Sequence, residues 1–268
     1  MIFRLLLVPS IVAIIALIGR YRGPRAAGIL SGFPVIAAPI IYFIYLDQGA
    51  EFARVSATSA IASVVALSSF CFVYAWLSTR LRWPATLALA WLTYFGLAVL
   101  IGRLEPQPIA FFVVAIVTIA MQIVFSPQQS LVILSVPAAN GEIVARMICA
   151  GLLVYTVTAL ARTIGPAYSG AFAALPIAST IIAVFSHRNH SAAHAIESLR
   201  SLKFGLIGFS VFFMALVLGL EEYTFPLAFA IAALAALSIQ MAVLYARAAR
   251  SRRAVRRGRM TTIDAQPD

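Results

Sequence analysis

Charged residues are scarce in this chain of 268 residues, where Asp, Glu, Lys and Arg together make up 11%. Soluble globular domains are roughly one quarter charged, so this composition excludes an ordinary soluble domain. Hydrophobic residues fill 62% of the chain, and the mean hydropathy is +0.98. The composition therefore predicts a polytopic membrane protein that no long soluble domain interrupts.

Acidic residues are missing from the middle of the apolar runs: all of them lie at helix ends, in connections or in the tail. A carboxylate inside the membrane is the usual mark of a proton relay, and this sequence offers none near a helix centre. Hydroxyl and amide side chains are the polar groups that remain inside the runs. The sequence therefore favours a facilitator, or coupling through backbone carbonyls, over a carboxylate proton relay.

Catalytic and cofactor motifs are also absent. The sequence contains no Walker loop, HExxH, nucleophile elbow or CxxC, so we predict neither an enzyme nor a bound cofactor. His187, His190 and His194 have helical spacing, but a metal site would need a further ligand and only Glu197 is near. We interpret the three histidines as solvated loop residues and predict no metal site.

Nine apolar runs are long enough to cross a bilayer as helices, which takes roughly 17 to 25 residues. They cover residues 2–19, 26–46, 54–78, 84–102, 108–126, 143–162, 167–186, 202–220 and 226–246. A long His-containing connection is predicted between the seventh and eighth runs. The apolar stretch within 127–141 is too short to cross and is predicted as a loop or a re-entrant segment.

The sequence repeats itself at an offset of 142 positions. Residues 23–40 read GPRAAGILSGFPVIAAPI, and residues 165–182 read GPAYSGAFAALPIASTII. The matched pairs are Gly23/Gly165, Pro24/Pro166, Gly28/Gly170, Pro34/Pro176, Arg4/Arg146, Arg20/Arg162 and the step Trp83-Pro84/Phe225-Pro226. Matches of this number in one register indicate an internal duplication.

The duplication divides the chain into four parts. Residues 1–104 form a first membrane repeat of four helices, 105–141 a linker helix and loop, 142–246 a second repeat, and 247–268 a basic tail that we predict to be disordered. Because one linker helix separates the repeats, the second repeat inserts upside down. The predicted fold is therefore all-α, a 4+1+4 inverted duplication with about nine transmembrane helices.

Positive charges predict the orientation in the membrane. With nine crossings and the amino terminus outside, fifteen Lys and Arg residues lie at cytoplasmic ends and four at outer ends. This is the bias of the positive-inside rule, and seven of the fifteen crowd the carboxyl-terminal tail. We predict a multi-pass protein of the bacterial inner membrane whose carboxyl terminus is cytoplasmic. The tail is a signature of anionic lipid nearby, and nucleic acid is not an expected partner.

Helices interrupted by Gly and Pro at matching positions of two inverted repeats are the best sequence pointer to a transporter binding site. A half-helix that begins after each break would point its partially positive N-terminus at a substrate anion. The predicted substrate-binding residues are Gly28, Gly32, Pro34, Pro39, Gly170, Pro176, Ser179 and Thr180. The alternative is that the small residues and prolines only allow close packing and kinks.

Arg20 and Arg162 precede the two Gly-Pro steps at matched positions. In the inverted arrangement they lie on opposite faces of the membrane, each at the mouth of its broken helix. They are predicted either as gates that attract the substrate or as anchors at the headgroup level.

The first repeat reads AGILSGFPVIAAPIIYFIYLDQGAEFARVSATSAI over its second and third spans. It resembles a family of short, roughly four-helix bacterial inner-membrane proteins encoded beside glycerol-phosphate metabolism genes, on an A-G-x(5)-P run followed by a polar turn and two more spans. The resemblance implies that single-repeat relatives pair as inverted dimers, which this chain would have fused. That family has no established activity, so no functional residue is carried over, and the second repeat departs from it with Ala-Leu-Pro in place of Gly-Phe-Pro.

The leading hypothesis is a small secondary transporter or facilitator, with its site between the second helices of the two repeats and a small anion as the favoured solute. The alternative is a membrane component that does not transport, such as an assembly partner or a lipid-handling subunit of an envelope-polymer system. The lipid bilayer and an unidentified small-molecule solute are the partners that the sequence predicts.

Overall fold

The computed structural model describes residues 37–105, 107–127 and 175–263, with single positions at 10, 14, 17, 18, 21, 34, 144 and 148. These residues form seven α-helices and no strand. The helices are α1 (Ala37–Gln48), α2 (Ala50–Leu77), α3 (Trp83–Ile101), α4 (Pro108–Phe125), α5 (Ile177–Asn189), α6 (Ala192–Glu222) and α7 (Phe225–Ile263).

Five of these helices are long and apolar enough to cross a membrane: α2, α3, α4, α6 and the part of α7 up to Ala246. They coincide with five of the runs predicted from the sequence. The prediction of an all-helical protein embedded in a membrane is therefore confirmed. The predicted spans 2–19 and 143–162 lie outside the described residues, so the count of nine stays a prediction.

The two short helices are the second halves of predicted spans. α1 has 12 residues and α5 has 13. At a rise of 1.5 Å per residue each is about 20 Å long or less, which is short of the roughly 30 Å hydrocarbon core. Neither segment is therefore long enough, over its described residues, to cross the membrane alone.

Helices α2 and α6 form the centre of the bundle. About 67% of the apolar window of α2 and 56% of that of α6 is buried, against 17% to 22% for α3, α4 and α7. α2 and α6 pack against each other, and α4 packs against both. The three more exposed helices present large apolar side chains outward, as the lipid-facing helices of a bundle do.

The central helices run in opposite directions. Arg54, near the start of α2, is close enough to Glu221 at the end of α6 to interact electrostatically. Toward the other end of α2, the Phe72 ring centroid lies 4.9 Å from the Nζ atom of Lys203, in the first half of α6. The start of α2 thus lies beside the end of α6, and the second half of α2 lies beside the first half of α6.

Each short helix packs against the central helix that follows it and touches the last helix of the other half. α1 packs against α2, and α5 packs against α6. The ring of Tyr45 in α1 stacks on Phe225 of α7 with centroids 3.9 Å apart. α5 contacts α3 in the corresponding way. α1 of the first sequence repeat thus contacts α7 of the second, and α5 of the second contacts α3 of the first.

The offset of 142 that relates the sequences also relates the helix boundaries. α2 begins at Ala50 and α6 at Ala192, and 192 − 50 is 142; α3 begins at Trp83 and α7 at Phe225, again 142 apart. The Trp83-Pro84 and Phe225-Pro226 steps place proline in the first turn, where its missing N–H costs no hydrogen bond. The local signals that start helices are thus shared by the two halves.

Two helices extend beyond their predicted limits. The His-containing connection predicted up to residue 201 is a two-residue turn, because α6 begins at Ala192. Ser191 caps it by accepting a hydrogen bond from the backbone N–H of His194 at 3.3 Å. α7 continues through most of the tail to Ile263, although the sequence predicts disorder there. Ala and Arg, which dominate this segment, are strong helix formers.

We expect Gly219→Val to destabilise the protein, because α6 and α7 approach each other closely at this glycine. A Cβ atom there would lie 3.1 Å from the Cβ and 3.3 Å from the Cα of Ala228. Overpacking of this kind costs about 1–3 kcal/mol. Thermal unfolding of the purified protein in detergent measures the loss.

Gly96→Val is the matched control, since a Cβ atom on Gly96 has nothing within 4 Å. Its unfolding temperature should stay unchanged or rise slightly, because valine is a better helix former than glycine. Equal losses in the two variants would contradict the close approach at Gly219.

Candidate functional site

The two short helices begin at the prolines that the duplication matches. Pro34 lies in a turn, and its carbonyl accepts a hydrogen bond from the N–H of Ala38 at 2.8 Å. The carbonyl of Pro176, at the N-cap of α5, accepts from the N–H of Thr180, also at 2.8 Å. Both bonds join a matched proline to the residue four positions on. α5 thus starts directly after Pro176, and α1 is described from three residues after Pro34, whereas the predicted interruption of a longer helix at each proline stays a prediction.

Pro39 is the third residue of α1 as the structure describes this helix. Its role as a substrate-binding residue stays a prediction. Five other predicted site residues lie outside the described part of the chain, and their role stays a prediction: Gly28, Gly32, Gly170, Arg20 and Arg162.

The first turn of α5 carries two buried hydroxyls with no hydrogen-bond partner. Ser179 is 2% exposed, and neither its Oγ nor the Oγ1 of Thr180 meets a partner among the described residues. The equivalent positions in α1 are Ala37 and Ala38, which have no polar side-chain atom. The two halves thus share the helix start but differ in its polarity, as the sequence predicts.

A buried lysine lies in α6, the helix that packs against α5, and sequence reasoning did not select it. The side chain of Lys203 is 0% exposed, and its Nζ donates to Ser126 Oγ at 2.8 Å and to the Gln122 carbonyl at 3.5 Å. The amide nitrogen of Gln122 donates to Ser69 Oγ at 3.1 Å. We call these four residues, with Phe72 beneath the ammonium, the lysine cluster.

The lysine cluster lies at the C-terminus of α4, where the last carbonyls have no partner within the helix. The Gln122 carbonyl accepts from Ser126 Oγ at 2.7 Å as well as from Lys203. The indole N–H of Trp76 donates to the Phe125 carbonyl at 3.1 Å. A cation at a helix C-terminus is also favoured by the macrodipole. Lys203 therefore completes the end of a helix that Pro127 cannot continue.

The ammonium has no acidic partner among the residues that the structure describes; the charge nearest to it along α6 is that of Arg200, which is also positive. Its acceptors are both neutral: the Ser126 hydroxyl at 2.8 Å and the Gln122 carbonyl at the longer distance of 3.5 Å. Burying a charge is costly unless an opposite charge or a full set of hydrogen bonds compensates it. The lysine cluster is thus a site of uncompensated positive charge.

Ser179 and Lys203 lie at equal distances along the chain from the turn that joins α5 to α6. α5 and α6 are joined by His190 and Ser191 and pack along each other, so they form an antiparallel hairpin. Ser179 precedes Ser191 by 12 positions and Lys203 follows it by 12, since 191 − 179 and 203 − 191 are equal. At 1.5 Å per residue both lie about 18 Å from the turn.

Among the described residues, five carry buried polar side-chain atoms without a hydrogen-bond partner, and four of the five lie on α4, α5 and α6. These four are Ser179, Thr180, Ser201 and Gln122, and we call them, together with the lysine cluster, the polar layer. Gln240 is the fifth such residue. Because buried polar groups are almost always hydrogen-bonded, these atoms call for partners that the described residues do not supply.

Lys203 was missed because the sequence prediction started its span at residue 202, which placed the lysine at a helix end. In the structure it is the twelfth residue of α6. The available signal was the helical spacing of Ala193, Ile196 and Leu199, all of which are buried. If these positions are taken as helical, Lys203 lies on the fourth turn and faces the protein interior.

The histidines are part of the hairpin and not of a solvated loop. His187 lies in the last turn of α5, with Nδ1 3.4 Å from the hydroxyl of buried Tyr74. The rings of His190 and His194 lie 5.3 Å apart. Within the described segments no group of three His, Cys, Asp or Glu residues is placed to hold a metal ion.

Comparison of the chain with family models, curated proteins and solved structures gives no match.

We expect Ser126→Ala to destabilise the solute-free protein, because it removes the shortest hydrogen bond of a buried ammonium. Hydrogen bonds to charged groups contribute about 1.5–3 kcal/mol. Thermal unfolding in detergent measures the change.

Ser179→Ala is the matched comparison, because it removes a buried hydroxyl that has no partner among the described residues. Its effect should lie within about 0.5 kcal/mol of zero or be stabilising. A loss as large as that of Ser126→Ala would show that Ser179 Oγ is satisfied in the folded protein and would contradict the polar layer.

Proposed function

We propose that the protein is a small secondary transporter or facilitator that moves a small polar solute, with an anion favoured, across the bacterial inner membrane. The observation that carries the proposal is the polar layer, where hydroxyls of α5 and α6 and an amide oxygen of α4 are buried without partners among the described residues. In a helical bundle without a binding site, each such atom would lower the stability of the folded protein by about 1–3 kcal/mol. A solute that enters the layer supplies their partners.

The preference for an anion comes from the first turn of α5. The N-terminus of a helix carries partial positive charge and free N–H groups, which bind anions. Here the turn also holds the hydroxyls of Ser179 and Thr180, and both are without a partner within the described residues. The equivalent turn of α1, with two alanines, would supply only backbone groups.

An inverted duplication is part of the proposal, because it provides two equivalent halves that can rock about a shared site. Three observations support it: the helix starts that recur 142 positions apart, the opposite directions of α2 and α6, and the exchanged contacts of α1 and α5. An outside amino terminus and a cytoplasmic carboxyl terminus belong to the same proposal, and so does descent from a fused pair of single-repeat proteins.

The described conformation is closed at the matched positions, since Ala37 and Ser179 are both 2% exposed. Transport therefore requires a second conformation in which water reaches them. Thiol labelling tests this directly. With Cys71 and Cys149 replaced by alanine, we expect Ala37→Cys and Ser179→Cys to react with a membrane-impermeant maleimide, each from at least one side of the membrane.

Gln48→Cys and Arg80→Cys, at exposed ends of α1 and α2, are the positive controls. Ala60→Cys, at a fully buried apolar position of α2, is the control that should not react. If both exposed controls react while Ala37→Cys and Ser179→Cys stay as inert as Ala60→Cys, the short helices are dry packing and the transport proposal is wrong. The non-transporting membrane component would then be the better interpretation.

A further inference from the structure

We propose that Lys203 is the fixed positive charge of an anion-binding site, and that the ligand is a small monovalent anion such as chloride, nitrate or a short carboxylate. The inference rests on the proposed function for the passage of the anion through the membrane. Binding itself follows from the lysine cluster alone and can be measured separately.

The first reason is that the described residues leave the hydrogen bonds of the ammonium incomplete. Nζ has three protons, one of which is taken by Ser126 Oγ at 2.8 Å. The Gln122 carbonyl is a weak acceptor at 3.5 Å, and the face of Phe72 lies 4.9 Å away. An ammonium can therefore still donate to a further acceptor.

The second reason is that the charge is uncompensated. Lys203 is fully buried, no carboxylate pairs with it among the described residues, and Arg200 adds positive charge nearby. The partial negative charge at the C-terminus of α4 offsets only about half of one charge. A bound monovalent anion would leave about half a negative charge, whereas a dianion would leave about one and a half, in a site that also contains the Gln122 Oε1 atom without a partner among the described residues.

The third reason is that further donors lie on the helix that packs against α6. The hydroxyls of Ser179 and Thr180, in the first turn of α5, have no partner in the described residues. They and the N–H groups of that turn would supply the remaining hydrogen bonds of an anion that Lys203 holds. The site lies toward the cytoplasmic face in the proposed orientation, since Phe72 is five residues, or about 8 Å, before the end of α2.

Binding can be measured with the full-length protein in a non-ionic detergent. Sodium gluconate would be replaced stepwise by chloride, nitrate, formate or sulfate at constant ionic strength, and the unfolding temperature followed by intrinsic fluorescence. A ligand that binds only the folded state raises the unfolding temperature in a saturable way. We expect chloride, nitrate or formate to do so, and sulfate to have at most one fifth of the effect.

Three variants make the test specific. Lys203→Gln should abolish the anion-dependent rise, and Lys203→Arg, which keeps the charge, should retain at least part of it. Arg188→Gln removes a positive charge from an exposed position at the end of α5 and should behave like the wild type. If Lys203→Gln does not fold, the anion concentration at half-maximal effect decides the matter: it should shift in Lys203→Arg and stay at the wild-type value in Arg188→Gln, and equal values in all three proteins would overturn the proposal.

A wild-type protein whose unfolding temperature responds to no anion would overturn the proposal, and Lys203 would then only complete the end of α4. An anion response that Lys203→Gln retains would overturn it as well. Flux of chloride or nitrate into proteoliposomes separates the two proposals. Binding that depends on Lys203 without any flux would contradict transport alone, whereas flux that Lys203→Gln leaves unchanged would contradict only the role of Lys203.

Discussion

The packing of α2 against α6 is the contact on which the rest of the bundle depends. These are the two most buried helices, they occupy equivalent places in the two halves, and they run in opposite directions. Every other described helix packs against at least one of them. In a bilayer, small residues and interhelical hydrogen bonds drive such association, because lipid tails are as apolar as the side chains. The buried face of α2 is accordingly rich in alanine and serine.

Backbone groups set the second constraint, because hydrocarbon offers no water to the free carbonyls and N–H groups at helix ends. The chain places such ends at or near the polar layer: α5 starts there, and α4 ends beside Lys203. Lysine and tryptophan side chains complete the end of α4, but nothing described completes the hydroxyls at the start of α5. This difference between a satisfied helix end and an unsatisfied one is the physical basis of the functional proposal.

The sequence predicts the helical class, five spans and the positions of both proline starts, because apolar length and proline are local signals. It also predicts the polar asymmetry between Ala37 and Ser179. It does not reveal the lysine cluster, because hydropathy places Lys203 at the beginning of the apolar run 202–220. The amphipathic turns from Ala192, which Ser191 caps, are too polar to be counted as part of that run. Nor can a single sequence show that Ser126 and Lys203 are in contact, since the two residues are 77 positions apart in the chain.

The direction of α2 relative to α6 is the most direct test of the inverted arrangement. In a background without cysteines, Arg54→Cys would be paired with Glu221→Cys in one variant and with Glu197→Cys in another, and each treated with a short bifunctional maleimide. The antiparallel packing predicts a cross-link between positions 54 and 221 and none between 54 and 197. Efficient linking of 54 to 197, with none to 221, would mean that the two halves lie parallel and would contradict the account.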